Sequence, residues 1–393
     1  MKVSLVGCGC GAETLTAEAD EAIARAELVI GSERMIREHG KGKHCVSATR
    51  PEEIVSALRQ SECESAAVLL GGDSGFYSGA KSLLPLLSEE RVTVIPGISS
   101  LQVFAARLGR DWQSWNLCSS HGRVCNPVWE VCKGKPAFFL TGSVAGPSEL
   151  CAAFCEAGLK DLPVTIGENL GTGEEQIHRG TAKDYVNFKF SSLSVLLAEK
   201  APRFSNQMPG IRDDYFERAE KIPMTKREIR AVALSLLNVG EEDVCWDIGA
   251  GTGSVSIELA LRAGAVYGIE RDDEALMLAE RNRRKFGAWN LKLIRGQAPE
   301  ALEGLPTADR VFIGGSGGHL REILGSVGEK CPQAEICVSA ITLETLHTAV
   351  AFLEKAGYRT EVLQLTASRS RTAGGMHMMT ALNPVFLISG ARP

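Results

Sequence analysis

Two glycine-rich turns in one chain restrict its possible folds more than any other feature. "VSLVGCGCGAETLT" occupies residues 3–16, and "DVCWDIGAGTGSVSIELA" occupies residues 243–260. Each reads as a buried strand, a tight turn and the start of a helix. That arrangement brings backbone N–H groups up to a nucleotide-type ligand. Turns this far apart belong to separate sheets, and a chain of 393 residues is long enough for two cores.

Composition narrows the class. The chain is 44% hydrophobic and 23% charged with a formal net charge of −5, which provides no basic footprint for nucleic acid. Its 41 glycines fall in short clusters between apolar runs, as expected of tight turns near ligands rather than a disordered linker. No apolar run is long enough to span a bilayer, and "MKVSLVG" begins directly as a strand. A cytoplasmic protein with no membrane partner is expected. Its 12 cysteines are then reduced, and their spacing lacks the second ligand pair of a zinc site, so no metal is expected.

From Asp243 onward, apolar strands alternate with amphipathic stretches such as "DDEALMLAERNRRKF". This pattern predicts an α/β fold with a parallel sheet covered on both faces. "RTEVLQLTAS" and "PVFLIS" follow with no helix between them, and predict an antiparallel pair at the sheet edge. "TKREIRAVALSLLN" predicts a leading helix. The first half alternates less cleanly, with strands expected at 3–7, 27–30, 67–71, 92–95, 137–140, 163–167 and 193–197. The Pro- and Gly-containing stretch 201–223 reads as a linker and lead-in between domains at 1–200 and 224–393.

In the second turn, glycines stand at 249, 251 and 253, with Ser254 where a dinucleotide fingerprint needs glycine. Glu270 ends the next strand, where a carboxylate can accept the hydroxyls of a ribose. Strand, GxGxG turn, helix, strand and terminal Glu in this order resemble the Rossmann-like, seven-stranded S-adenosylmethionine-dependent methyltransferases. "MTKREIR", "GQAPEAL", "FIGGSGGHLREIL" and "ITLETL" further resemble the domain family that methylates C-15 of a corrin precursor and decarboxylates its ring-C acetate. The resemblance implies that Thr225, Gly249, Ala250, Gly251, Thr252, Gly253, Glu270, Gln297 and Ala298 line the cofactor, with Gln297 where the family usually has Asp.

In the first half, "VGCGCG", "LLGGDSGFYSGA", "VIPGISSLQ", "FFLTG" and "ENLGTGEEQI" each close an expected strand. In this order they resemble the tetrapyrrole methylase family, specifically its C-5 corrin-precursor members. The resemblance implies that Gly71, Gly72, Asp73, Phe76, Ser99, Ser100 and Thr141 border S-adenosylmethionine, and Cys10 stands where many relatives have Pro. Together the halves imply an enzyme of cobalamin synthesis that binds one S-adenosylmethionine per domain, takes a tetrapyrrole substrate and self-associates. Methylation at C-5 falls to the N-terminal domain, and methylation at C-15 with decarboxylation to the C-terminal one.

A substrate rimmed with carboxylates calls for cations. Arg369, Arg371, Lys226 and Arg227 are the candidates, while His319 and His377 are weighed as acids and no catalytic residue is assigned. Two other readings remain open here. An RNA methyltransferase shares the second fold, although the acidic balance opposes it, and a tetrapyrrole carrier would not consume cofactor.

Overall fold

The computed structural model describes residues 1–120, 125–142, 145–203 and 209–392. The chain divides into two compact units, Met1–Lys200 and Ala201–Pro393. Among the described residues no helix is long and apolar enough to cross a membrane.

Among the described residues the first unit holds ten strands. They are β1 (Lys2–Gly7), β2 (Leu28–Gly31), β3 (His44–Ser47), β4 (Ser65–Leu70), β5 (Arg91–Ile95), β6 (Asn116–Ser119), β7 (Ala137–Leu140), β8 (Pro163–Glu168), β9 (Gln176–Thr181) and β10 (Ser194–Ala198). β1 to β5 form a parallel sheet in the order β3-β2-β4-β1-β5, and β6 to β10 form a mixed sheet in the order β6-β7-β10-β8-β9. Alternate side chains of the first sheet feed two cores. Val3, Leu5, Leu28, Ile30, Ala66 and Val68 pack on one side, and Val6, Val29, Ala67 and Leu69 on the other. Its central strands are mostly apolar because both faces are covered. β3, β6 and β9 were not expected from the sequence.

The second unit contains β11 (Val244–Ile248), β12 (Ala265–Glu270), β13 (Leu291–Arg295), β14 (Arg310–Ile313), β15 (Glu335–Ala340), β16 (Arg359–Leu365), β17 (Ser368–Ala373), β18 (Met376–Ala381) and β19 (Val385–Ala391). Seven of them form one sheet in the order β13-β12-β11-β14-β15-β19-β16. As expected, β19 runs antiparallel to both β15 and β16. β17 and β18 make a separate exposed ribbon, turned by Gly374 and Gly375 at φ +57° and +77°. Two left-handed residues in succession suit the twist of a tight hairpin.

The stretch expected as linker and lead-in packs into this second unit where it is described. Ile211 and Phe216 are buried, Arg203 donates to the Ala260 carbonyl, and Trp289 donates to the Pro202 carbonyl at 2.7 Å. Gln207, inside the stretch expected to link the two domains, lies outside the described residues.

A fully buried guanidinium holds the lead-in. Arg230, on the helix Arg227–Leu237, donates to Glu258 Oε1 (2.8 Å), Asp213 Oδ1 (3.0 Å) and the carbonyls of Ile211 and Thr225. Glu258 is equally buried and accepts the N–H groups of Gly210 and Ile211. Removing the guanidinium leaves the fully buried Glu258 carboxylate without its cation, while Asp213 keeps Arg369. Arg230→Leu is therefore expected to lower stability by about 3–5 kcal/mol, the range for breaking a buried pair from one side. Chemical denaturation of the second unit checks this, and a loss below about 1 kcal/mol, an exposed pair's worth, would contradict it.

Candidate functional site

In the first unit, three strand ends meet with no space for a side chain. A Cβ on Gly7 would lie 2.6 Å from the Gly97 nitrogen, and one on Gly97 would lie 2.3 Å from the Gly72 carbonyl oxygen. Gly9 and Gly72 exchange both backbone hydrogen bonds, at 3.1 and 2.9 Å. Asp73 joins two of the loops, since Oδ1 accepts the Gly75 N–H (2.9 Å) and Oδ2 accepts that of Gly97 (3.1 Å). Ser99 caps the helix Ser100–Leu108 by accepting the Gln102 N–H. Across the gap, Thr141 Oγ1 donates to the Ser194 carbonyl at 2.6 Å.

These loops enclose a cavity of about 470 Å³ lined by Gly71, Gly72, Asp73, Phe76, Ser99, Ser100 and Thr141. The structure thus brings together all seven residues expected there. It adds Arg34, Met35, Tyr77, Asn169 and the start of β10. Asn169, inside the quoted "ENLGTGEEQI", and Tyr77, inside the quoted "LLGGDSGFYSGA", stand in stretches that had a sequence signal. Cys10 also lines the cavity, and burial pushes its thiol up to about 11, which keeps it a protonated wall residue rather than a nucleophile.

The second unit builds its site on the same principle. Gly249 has φ +79°, and a Cβ there would lie within 2.7 Å of the Gly315 backbone. Gly253, at φ +76°, turns the chain into the helix Ser254–Ala260 against Ala279. Glu270, at the end of β12, accepts the Gly251 N–H at Oε2 (2.8 Å) and those of Arg271 and Asp272 at Oε1 (2.8 and 3.0 Å). One carboxylate therefore straps the glycine turn to the neighbouring strand end. With about four lone-pair positions available, it keeps one acceptor position for a ligand.

This cavity, of about 510 Å³, is lined by Thr225, Gly249, Ala250, Gly251, Glu270, Gln297 and Ala298. Thr252 and Gly253 lie behind it. Thr252 is 1% exposed, and its carbonyl accepts from Asn282. The four expected substrate cations lie outside the wall. Arg369, on β17, ties to Asp213 Oδ2 (2.9 Å) and Glu228 Oε2 (2.6 Å), and Arg371 sits exposed on the same strand opposite Met378. Lys226 precedes the helix that Arg227 begins, and the Arg227 N–H donates to Asp213. The cations that do line the cavity are Lys221 and Arg271. His319 precedes the helix Leu320–Lys330, and His377 is exposed on β18. Among the described residues, no cluster of His, Cys, Asp or Glu has the arrangement of a metal site.

Residues 2–185 match the family described as tetrapyrrole (corrin/porphyrin) methylases, and residues 214–392 match the one described as precorrin methyltransferase domain. A protein of Pyrobaculum calidifontis named probable cobalt-precorrin-6B C(15)-methyltransferase (decarboxylating) is 48% identical over 185 residues, 46% of this chain and 95% of that one. The Salmonella typhimurium protein named cobalt-precorrin-6B C(15)-methyltransferase (decarboxylating) is 40% identical over 183 residues, 46% of this chain and 94% of that one. Among solved structures, a precorrin-6y C5,15-methyltransferase from Geobacter metallireducens is 41% identical with a TM-score of 0.45, covering 47% of this chain and 98% of its own.

One residue of the second cavity escaped the sequence reading although it stands directly before the glycine turn. Asp247 is 1% exposed and lines the cavity. Its Oδ2 accepts the Ser256 hydroxyl, while Oδ1 has no partner among the described residues. Burial pushes its carboxyl up to about 7, against a lesser lowering by Ser256. A raised carboxyl pKa costs stability as pH rises from the ordinary value near 4 to the folded value, and the cost stays constant above that. Asp247→Asn should therefore stabilise the ligand-free protein more at pH 8 than at pH 5. Melting temperatures at both pH values check this, and a gain equal at both would contradict it.

Proposed function

The chain belongs to the family of decarboxylating precorrin methyltransferases, and from that premise we propose that it binds one S-adenosylmethionine in each unit and methylates a corrin precursor twice. The first unit acts at C-5. The second acts at C-15 and decarboxylates the ring-C acetate, whose carboxyl carbon leaves as carbon dioxide while a methyl group stays on the ring. The names of the relatives support a cobalt-carrying precursor as substrate. A cytoplasmic, self-associating enzyme that takes no nucleic acid completes the proposal, and the net charge of −5 supports the last point.

The observation that carries this reading is that each unit has its own cavity of ligand size at the carboxyl ends of its strands. Both walls suit the cofactor. Glycines 7 and 97 let the strand ends close up behind Gly71 and Gly72, and Gly249 offers bare main chain on the second cavity's wall. The free acceptor position of Glu270 suits a ribose hydroxyl, and the unpartnered Oδ1 of Asp247 suits an ammonium group.

When bound, S-adenosylmethionine supplies a methyl group already activated on a sulfonium. What remains for the protein is to hold the macrocycle's meso carbon in line with that methyl and to exclude water. Such positioning is worth roughly 7–11 kcal/mol. The meso carbon supplies the bonding pair, so no strong general base is required. In decarboxylation the C–C bond to the carboxylate breaks, its electron pair passes into the conjugated macrocycle, and a proton takes the place of carbon dioxide.

Separating the units tests the division of labour. Pro202 and Arg203 already pack in the second unit, so the cut belongs between Lys200 and Ala201. The C-terminal piece alone is expected to release carbon dioxide and add one methyl group. The N-terminal piece should then methylate that product without decarboxylating anything. Mass spectrometry of each product checks this. Decarboxylation by the N-terminal piece would overturn the assignment.

A further inference from the structure

We infer that Tyr77 is a specificity-determining residue of the first unit. Tyr77 lines both the cofactor cavity and a larger neighbouring cavity, among the residues the two share, and it sets which carbon of the macrocycle meets the methyl group. The inference rests on the proposed C-5 activity of that unit.

Tyr77 stands at φ +48°, in the left-handed region that a bulky side chain rarely occupies. Glycines sit two residues away on either side, at 75 and 79, yet the strained position itself carries a tyrosine. Such a position persists where its surroundings enforce it, and the enforcement is visible here. The backbone of Tyr77 belongs to the loop after β4, in the first sheet. Its hydroxyl donates to the Leu117 carbonyl at 2.8 Å, on β6 of the second sheet. Phe76 braces the ring edge-on, with centroids 4.9 Å apart. Nearly half of the residue nonetheless remains exposed, at 44%. A ring tied to the second sheet that also lines two cavities is placed to meet a ligand.

The two cavities that share this ring differ in size. The cofactor cavity is about 470 Å³ and the neighbouring one about 1090 Å³, at the upper end of small-molecule sites. The larger is walled by Ile54, Leu69, Leu84, Val94 and Leu117, with Lys81 at its edge. Apolar walls with a cation at the edge suit a flat conjugated macrocycle that carries peripheral carboxylates. A phenol ring lining both spaces offers that macrocycle a stacking face beside the methyl donor.

Substitutions in the intact chain test this. Tyr77→Gly relieves the backbone strain and deletes the ring, whereas Tyr77→Phe keeps both and deletes the hydroxyl with its tie to Leu117. Affinity of the first unit for S-adenosylhomocysteine is expected to stay within about twofold in both, because the ring is a wall rather than a cofactor donor. Y77G should raise the substrate KM of C-5 methylation about tenfold, the worth of one aromatic contact. It should also scatter the methyl over other positions, as read by carbon-13 NMR of the product. For Y77F a rise of about threefold is expected from one lost hydrogen bond, and this variant carries the test if Y77G does not fold. C-15 methylation by the second unit is the internal control and should not change. Wild-type KM and regiochemistry in both variants would overturn the inference, as would an effect confined to cofactor affinity. A wild-type chain that adds no methyl at C-5 would overturn the underlying reading of the unit instead.

Discussion

Both units depend on backbone meeting backbone at the ends of parallel strands, with no Cβ between them. Gly97 against Gly7 and Gly72, and Gly249 against Gly315, are contacts that any larger residue would force apart. The sheets differ in order and in the direction of their strands, yet the same steric condition creates the cavity in each. Close approach leaves main-chain groups to be satisfied by a few side chains. Asp73 does this in the first unit and Glu270 in the second. The residues that shape each turn therefore also line its cavity.

The second unit balances two buried electrostatic demands of opposite character. Arg230 is matched by Asp213 and Glu258, so its burial anchors the lead-in segment and Thr225 beside the cavity. Asp247 is matched only by Ser256, and its carboxyl resists ionisation. The first arrangement contributes order, while the second costs stability until a ligand supplies the missing partner. A strained tyrosine in the first unit carries a similar cost in backbone form.

Much of this architecture was legible in the sequence, and the failures share a cause. Central strands such as "AVYGIE" are apolar because both faces and both edges are covered. β3 ("HCVS"), β6 ("NLCS") and β9 ("QIHRGT") are all sheet edges, where one side is free and polar residues are tolerated, so no hydrophobic period marked them. The glycine turns and Glu270 were readable because chemistry fixes their spacing. The four expected substrate cations stand away from the second cavity's wall. Arg369 is occupied by Asp213, which lies 156 residues away in the sequence, and Lys221 and Arg271 reach the wall only through the folded path of the chain. Asp247 was hidden because a carboxylate at the end of an apolar strand looks like its polar terminus.

The account's central claim is that one chain places two methyl groups on one macrocycle from two separate cofactor cavities. The most direct measurement is carbon-13 NMR of the product formed by the intact chain from the corrin precursor and S-adenosylmethionine labelled at its methyl carbon. The account predicts enriched methyl signals at both C-5 and C-15, with one carbon dioxide released per macrocycle. A single enriched methyl in a fully converted product, or two with the acetate retained, would contradict it.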